Sequence, residues 1–264
     1  MGLALAVVNQ KGGVGKTTTA VNLAASLAAR ERSVLLVDLD PQGNATSGLG
    51  VQREPGERPT VYHALIGEAS ARSAVLPTEV PHLFLLPSST DLVGAELELV
   101  SIEGRESRLR AALDPLREAY DYLLIDCPPS LGLLTVNALV AADRVLVPLQ
   151  CEYYALEGLG SLLRTVDLVK RSLKPGLEIE GVVLTMFDSR NNLARQVMSD
   201  VRANLPGRVY ETVIPRNVRL SEAPSHGRPA LLYDIESKGA QSYLQLAAEM
   251  LRRHSAVADE RKHA

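Results

Sequence analysis

An α/β fold with a doubly wound, mostly parallel sheet flanked by helices is what this sequence predicts, on three observations. Short apolar runs alternate with segments of helical period along most of the 264 residues, which is the order expected of βαβ units. Several runs are apolar throughout, as strands covered on both faces by helices must be. The composition, 46% hydrophobic and 22% charged, is that of an ordinary globular protein.

Six apolar runs are predicted strands. The first, at 3–8, has no basic residue before it and leads straight into a glycine-rich turn, so we interpret it as a buried strand and not as a signal peptide. The others are 34–38, 83–86, 122–126, 144–149 and 179–186. Apolar residues at helical spacing predict helices at 17–30, 105–120, 133–142, 157–173, 193–205 and 239–253.

The length and net charge of the chain restrict its domain organisation and the partners that it can bind. A chain of this size can bury about 70–75% of its unfolded surface. Its net charge of −3 means that any nucleic-acid role depends on local charge. No apolar run approaches the roughly 20 residues that span a bilayer. We expect one folded domain at 1–254, a flexible charged tail at 255–264 and a proline-containing surface loop at 52–60.

A glycine-rich turn joins the first predicted strand to the first predicted helix. Residues 11–18 are KGGVGKTT, whose glycines let backbone N–H groups face a phosphate at the positive end of a helix. Lys16 would neutralise the β- and γ-phosphates, and Thr17 would ligate Mg²⁺. The usual pattern has glycine where position 10 is Gln, and here a second lysine lies in the turn. The predicted nucleotide-binding residues are Lys11, Gly12, Gly13, Val14, Gly15, Lys16, Thr17 and Thr18.

Two predicted strands end in carboxylates, and the carboxyl ends of parallel strands face the crevice where ligands bind. Asp126 suits a magnesium ligand that acts through a water molecule. Asp38 ends the run at 34–38, and Asp40 follows it by two residues. Taken alone, either aspartate is better explained as a turn or helix-cap residue than as a catalytic one. Both gain weight as site residues because they come at the end of an apolar strand just after a phosphate-binding loop. Asp40, in a DPQGN turn, could orient an attacking water.

Four further segments are long and distinctive. They are 38–50 (DLDPQGNATSGLG), 126–131 (DCPPSL), 150–158 (QCEYYALEG) and 214–224 (IPRNVRLSEAP). With the turn at 11–18, which resembles the variant Walker A box of the ParA/MinD superfamily, they make the chain similar to the ParA/Soj chromosome-partitioning ATPases. The resemblance covers about residues 1–250, nearly the whole predicted domain.

That resemblance implies a P-loop ATPase domain with ATP and Mg²⁺ as cofactors. Two subunits would sandwich two ATP molecules as a homodimer, and Lys11 would reach the partner's phosphates as a cation supplied in trans. Gly12 would stay small to let two loops approach, Pro215 and Asn217 would line the adenine pocket, and Asp40 would support hydrolysis. The implied catalytic residues are Lys11, Lys16, Asp40 and Asp126.

The same resemblance implies a cycle and a location. Family members hydrolyse ATP slowly, and a ParB-type centromere-binding partner stimulates them. The protein would be cytoplasmic and associated with the nucleoid, and it would segregate a chromosome or plasmid.

Positive charge is concentrated in one segment. Residues 190–230 contain seven arginines, no lysines and three acidic residues, a local charge of +4. From charge alone, solvated surface arginines are the simpler interpretation. Arg190 and Arg219, however, match positions that ParA/Soj proteins use for nonspecific binding of double-stranded DNA. The resemblance therefore favours phosphate contacts for these two and leaves the other five arginines open.

Two other classes of function stay open at this point. A MinD-like membrane-associated division-site ATPase would need a C-terminal amphipathic helix with bulky apolar residues. Residues 245–264 mix both charge signs and hold no Phe, Tyr or Trp, so we expect no membrane partner. A metabolic P-loop enzyme would need a substrate pocket, which no segment identifies. Cys127 and Cys151 follow predicted buried strands and are expected to be small buried hydrophobes.

Overall fold

One seven-stranded sheet organises the part of the chain that the computed structural model describes, residues 1–52 and 58–263, with side chains described through residue 256. Its strands are β1 (Leu3–Val7), β2 (Val34–Asp38), β3 (Leu76–Pro77), β4 (Leu83–Leu86), β5 (Tyr122–Asp126), β6 (Arg144–Gln150) and β7 (Glu178–Thr185). They lie in the order β3-β4-β2-β5-β1-β6-β7, and only β3 runs antiparallel to its neighbour among these strands. The predicted doubly wound, mostly parallel sheet is confirmed.

Helices cover both faces of the sheet. They are α1 (Lys16–Ala28), α2 (Asn44–Gly48), α3 (Val61–Ile66), α4 (Ala71–Ala74), α5 (Leu92–Leu99), α6 (Arg108–Leu113), α7 (Leu133–Ala141), α8 (Ala155–Ser172), α9 (Asn192–Asn204), α10 (Val218–Glu222), α11 (Ala230–Tyr233) and α12 (Lys238–His263). In β2, Leu35 and Val37 join one buried cluster, whereas Val34 and Leu36 join the other. Successive strand residues face opposite sides, so burial on both faces explains why the strands are apolar throughout.

The structure differs from the predicted elements mainly where segments are short. The predicted helix at 105–120 is reduced to α6 between two single 3-10 turns, Arg105–Ser107 and Asp114–Leu116. Pro115 lies in the second turn, lacks an amide hydrogen and disfavours a continuing α-helix. β3 is only two residues long and contains Pro77, which an edge strand tolerates. The four- to eight-residue helices α2–α5, α10 and α11 are too short for a helical period to predict them.

The C-terminal helix is longer than the predicted one at 239–253. α12 continues to His263, past the predicted start of a tail at residue 255. The division into 1–254 and 255–264, and the flexibility of that tail, stay predictions. Residues 53–57 of the predicted loop at 52–60 lie outside the described residues. Within the described part, no helix combines the length and the apolar character needed to cross a membrane.

Two glycines form a close contact beyond the carboxyl edge of the sheet. Gly50 follows α2, Gly227 ends the 3-10 turn Ala223–His226 that comes after α10, and both have positive φ, +77° and +63°. A Cβ on Gly50 would lie 3.0 Å from the Gly227 carbonyl oxygen, and one on Gly227 would lie 2.7 Å from the Gly50 Cα. The contact holds the segment that follows β2 against the segment that follows α10.

A buried polar cluster fixes α12 to the sheet. Glu180 of β7 accepts hydrogen bonds from Arg144 Nη1 at 2.8 Å and from Tyr210 Oη at 2.5 Å. Its Oε1 also lies 3.0 Å from His254 Nε2 on α12. Burial favours the neutral acid, but the contacts from His254, Tyr210 and Arg144 outweigh it and lower the pKa of Glu180 from 4.5 to about 2.

Replacing Glu180 with glutamine is expected to lower stability at neutral pH by about 3 kcal/mol, which is the pKa difference of roughly 2.5 converted at 1.36 kcal/mol per unit. Because the folded-state pKa is below the unfolded one, this stabilisation is complete above pH 4.5 and fades as the pH falls toward 2. Urea unfolding of wild type and Glu180→Gln from neutral to acid pH checks it. A stability gap that does not narrow on acidification contradicts the assignment.

Candidate nucleotide-binding site

The loop between β1 and α1 has the backbone of an anion-binding turn. Gly13 and Gly15 have φ of +74° and +86°, a region that glycine enters without strain. Gly15 is also the N-cap of α1, and no side chain caps the helix there. The first N–H groups of α1 therefore have no side-chain acceptor, as at helix ends that bind phosphate.

Side chains from β6, β7 and the loop itself hold this turn in place. Asn9 Nδ2 donates to the Pro148 carbonyl at 2.8 Å, and Asn9 Oδ1 accepts the Lys11 amide at 3.0 Å. Thr185 Oγ1 donates to the Val14 carbonyl at 2.8 Å. Sequence reasoning missed Asn9 and Thr185. The available signal was a polar residue at or just past the end of an apolar strand.

Lys16, Thr17 and Asp126 lie close together at the N-terminus of α1. Lys16 Nζ donates to the Lys11 carbonyl at 3.2 Å. Burial lowers the pKa of Lys16, and the carboxylates of Asp126 and Asp40 oppose that shift. The carboxylate of Asp126 lies close enough to the Thr17 hydroxyl for the hydroxyl to lower its pKa. A cation, a hydroxyl and a carboxylate thus meet at one helix end.

Asp126 is buried, and its carboxylate is poorly satisfied. Neither oxygen accepts a well-aligned hydrogen bond from the described residues. Burial raises the pKa of Asp126 well above its usual value, and the charge of Asp38 raises it further. An unpaired buried carboxylate is costly, so its oxygens fit a water molecule held by a cation. The donor set of Thr17 hydroxyl and Asp126 carboxylate suits Mg²⁺.

Asp38 and Asp40 have different surroundings. Asp38 accepts hydrogen bonds from the Thr46 amide at 2.7 Å and from Thr46 Oγ1 at 2.6 Å. Burial raises the pKa of Asp38 to about 6, with Thr46 opposing. Asp40 Oδ1 accepts the Gln42 amide at 2.9 Å, and Ser88 Oγ donates to the Asp40 carbonyl at 2.6 Å. Asp38 therefore secures the start of α2, while Asp40 is held close to Lys16.

Lys11 forms an ion pair within its own chain. Its ammonium contacts Glu152, and Glu152 also accepts from the Gln150 amide. Both side chains of the Lys11–Glu152 pair are about half exposed, so the pair is weak and easily exchanged. The sequence gives no signal for this pair, because Glu152 lies 141 positions from Lys11.

Pro215 and Asn217 lie beside the chain that leaves β7. Pro215 forms a parallel bridge with Phe187, and the Phe187 amide donates to the Ile214 carbonyl at 3.0 Å. Asn217 Oδ1 accepts the Arg219 amide at 3.0 Å and caps α10. That cap does not use the amide nitrogen of Asn217. Because Thr185 at the end of β7 contacts the phosphate-binding loop, this segment continues along the same edge of the sheet.

The two arginines that the sequence analysis predicts to contact DNA are separate from the residues around the glycine-rich loop. Arg190 is 89% exposed and pairs with Asp188 at 2.9 Å. Arg219 on α10 pairs with Glu222 at 2.8 Å and with Asp234 at 3.1 Å. The Phe187–Pro215 bridge joins the two segments that carry these arginines.

The two cysteines are buried and unbridged. Burial raises the pKa of Cys151 to about 11 and that of Cys127 further above its usual value. In the described part of the chain no cluster of three or more His, Cys, Asp or Glu side chains could hold a metal ion. The interpretation of both cysteines as small buried hydrophobes is confirmed.

Solved structures share the fold over nearly the whole chain. A cobyrinic acid a,c-diamide synthase from Mycobacterium smegmatis, with a bound ATP analog and magnesium, is 41% identical at a TM-score of 0.84 over 97% of this chain and 96% of that one. The cell division ATPase MinD of Pyrococcus furiosus is 30% identical at a TM-score of 0.77 over 96% of this chain and 99% of that one.

Sequence relatives are closer still. The family model AAA_31, described as an AAA domain, matches residues 3–179. The chromosome partitioning protein ParA of Myxococcus xanthus is 56% identical over 262 residues, 99% of this chain and 92% of that protein. The sporulation initiation inhibitor protein Soj of Bacillus subtilis is 56% identical over 250 residues, 95% of this chain and 98% of that protein. The chain therefore belongs to the ParA/Soj family of chromosome-partitioning ATPases.

Proposed function

We propose that the chain is a Mg²⁺-dependent ATPase that dimerises around ATP and binds double-stranded DNA without sequence preference as the ATP dimer. Slow hydrolysis, stimulated by a ParB-type partner, releases the DNA. We infer a cytoplasmic protein associated with the nucleoid. The observation that carries the proposal is the meeting of Lys16, Thr17 and the poorly satisfied Asp126 at an uncapped helix N-terminus. The likeness to ParA and Soj supports the partition role.

Binding of the nucleotide follows from the loop and its neighbours. Backbone N–H groups of residues 12–17 and the ammonium of Lys16 would bind the phosphates. The Thr17 hydroxyl, and Asp126 through water, would hold Mg²⁺, which when bound neutralises charge on the β- and γ-phosphates. The amide of Asn217 and the ring of Pro215 would border the base. The fold neighbour with an ATP analog and magnesium supports this assignment.

Hydrolysis would depend on two side chains beside the phosphates. Asp40 is buried and held near Lys16 by its backbone contacts, so its carboxylate is placed to orient the attacking water. Lys11 of the partner subunit would stabilise charge that develops on the transferred phosphoryl group. Within one chain, Lys11 pairs with Glu152. Assembly of the dimer would exchange that weak pair for a phosphate contact.

The face around the loop supports dimerisation. A Cβ on Gly12 would meet nothing within 4 Å among the described residues, and its φ is not in the left-handed region. The described chain itself therefore gives no reason for glycine at position 12, whereas a second loop at close approach would. Tyr153 and Tyr154 lie beside Glu152, are mostly exposed and contact each other edge to face. Exposed aromatic side chains are enriched in protein interfaces.

DNA binding would use Arg190 and Arg219. Both are exposed, and their pairs with Asp188, Glu222 and Asp234 lie at the surface, where ion pairs contribute little to stability. Phosphates can therefore replace the carboxylates at small cost. Two such faces in one ATP dimer would bind with higher effective concentration than either alone, which makes binding dependent on ATP.

The double substitution Arg190→Ala/Arg219→Ala is expected to weaken DNA binding equally on any duplex, because phosphates carry no base information. Each lost phosphate contact should flatten the slope of log affinity against log salt by roughly 0.9. Binding to two unrelated duplexes across a salt series measures both effects. Arg110→Ala, at a half-exposed arginine paired with Asp114, is the matched control. An unchanged slope removes both arginines from the DNA face and leaves the ATPase assignment intact.

The proposal is tested by DNA binding with ATP, with ADP and without nucleotide. DNA should bind tightly with ATP and weakly with ADP or without nucleotide. DNA and a ParB-type partner should increase ATP turnover in the absence of any small-molecule substrate. ATP-dependent pelleting with anionic liposomes instead would favour the MinD-like alternative. Turnover that requires a small-molecule acceptor would favour a metabolic enzyme, as the name of the mycobacterial fold neighbour suggests for that protein.

A further inference from the structure

Helix α5 presents an apolar face that no other described residue covers. Val93, Leu97 and Val100 are 69%, 79% and 59% exposed. Their spacing of four and three places them on one side of the helix, and we call them the α5 stripe. The opposite side packs into the core through Leu92 and neighbouring residues. Three adjoining, largely exposed branched side chains are typical of an interaction surface.

Acidic residues predominate in the segment that carries the α5 stripe. Within residues 91–106 there are five carboxylates and one arginine, a local charge of −4. Glu96 lies on the flank of the stripe nearest the core, and Glu98 is exposed on the same helix. A second copy of the chain would bring the same carboxylates face to face, which is unfavourable. A partner that carries apolar side chains among positive charges is complementary.

The α5 stripe is connected to the nucleotide site through Glu96. Glu96 Oε1 accepts the Leu134 amide at 3.3 Å, at the start of α7. A Cβ on Gly132 would lie only 2.2 Å from that oxygen, so α5 packs closely on the residues before α7. Those residues belong to the short loop that follows Asp126. A partner that shifts α5 would therefore act on the loop beside Asp126.

We infer that the α5 stripe and its carboxylates form a docking surface for a positively charged amphipathic segment of a partner protein, and that docking changes ATP turnover through the contact of Glu96 with the start of α7. The second half of this inference rests on the proposed ATPase function. The first half does not, because docking can be measured without nucleotide.

The experiment uses a labelled peptide of about 18 lysine and leucine residues with the leucines on one helical face. Its binding is followed by fluorescence anisotropy against wild type and Leu97→Ser/Val100→Ser. Leu168→Ser, at a residue of α8 that is 65% exposed, is the matched control. We expect at least tenfold weaker binding for the double variant and no change for the control. A peptide of the same pattern with glutamate in place of lysine should not bind.

Equal binding to all three proteins, or binding of the glutamate peptide, overturns the docking surface. The docking surface is also overturned if the wild-type protein is a dimer without nucleotide and the double substitution converts it to a monomer. The α5 stripe would then be a contact between two copies of this chain. For the second half, saturating lysine–leucine peptide should change ATP turnover in wild type and not in Glu96→Ala. Normal basal turnover that the peptide leaves unchanged overturns the coupling, whereas absent basal turnover contradicts the proposed function.

Discussion

Replacing Lys16 with alanine is expected to weaken ATP binding by about 100-fold or more. The Lys16 ammonium is buried at the N-terminus of α1, next to the carboxylates of Asp126 and Asp40. Charge-assisted hydrogen bonds each contribute roughly 1.5–3 kcal/mol, and Lys16 is placed to make two, one to each terminal phosphate. Without it, Asp126 and Asp40 would face the phosphates uncompensated. Isothermal titration calorimetry with ATP and Mg²⁺ measures the loss.

The matched control is Lys174→Ala. Lys174 is also partly buried and pairs with a carboxylate, Asp143 at 3.8 Å, but it lies after α8 and away from the glycine-rich loop. The Lys174→Ala variant should bind ATP with the affinity of the wild-type protein. Undiminished affinity in Lys16→Ala would overturn the assignment of the loop at 11–18 to phosphate binding.

Replacing Asp40 with alanine is expected to reduce ATP turnover by about 10²–10⁴-fold while ATP binding and dimerisation persist. A carboxylate that orients water acts mainly in the transition state, so its loss lowers turnover and leaves ground-state binding in place. The backbone contacts of Asp40 with Ser88 do not need its carboxylate. The variant should accumulate as an ATP-bound dimer in size-exclusion chromatography.

Asp38→Asn provides the contrast. The Asp38 carboxylate accepts from both the amide and the hydroxyl of Thr46, whereas the Asp40 carboxylate accepts the Gln42 amide. Asp38→Asn should therefore lower the unfolding temperature and also leave ATP turnover measurable, whereas Asp40→Ala should nearly abolish turnover at a smaller cost in stability. An Asp40→Ala protein that turns over ATP at the wild-type rate, or that stays monomeric with ATP, contradicts the proposed role.

The sequence predicts those parts of the site that a local pattern marks, wherever they lie along the chain. The loop at 11–18 and the carboxylates that end β2 and β5 follow from local pattern and from the rule that parallel strands share one edge. β2 and β5 are adjacent, with Asp38 and Asp126 in register, although the pattern alone does not give the strand order.

Contacts between distant residues could not be predicted. Thr185 bonds to Val14 across 171 positions, and Lys11 meets Glu152 across 141. Each pairing depends on which strands are neighbours and on their register, and a periodicity of two or 3.6 carries neither. The same limit applies to short helices. α5 has eight residues, and its exposed stripe was visible only once its buried side was known.

The contact of Gly50 with Gly227 has a consequence for how this sequence can vary. Neither residue can acquire a side chain unless the other backbone retreats, because an added Cβ would come within 3.0 Å of it in either direction. Positive φ at both positions adds a second barrier to any L-residue. To accommodate a side chain at one position, the sequence would need a second substitution at the same time, and both backbone segments would have to move apart. In a saturation mutagenesis library we therefore expect no other residue to be tolerated at either position. The two segments that these glycines join should change their backbone positions only together.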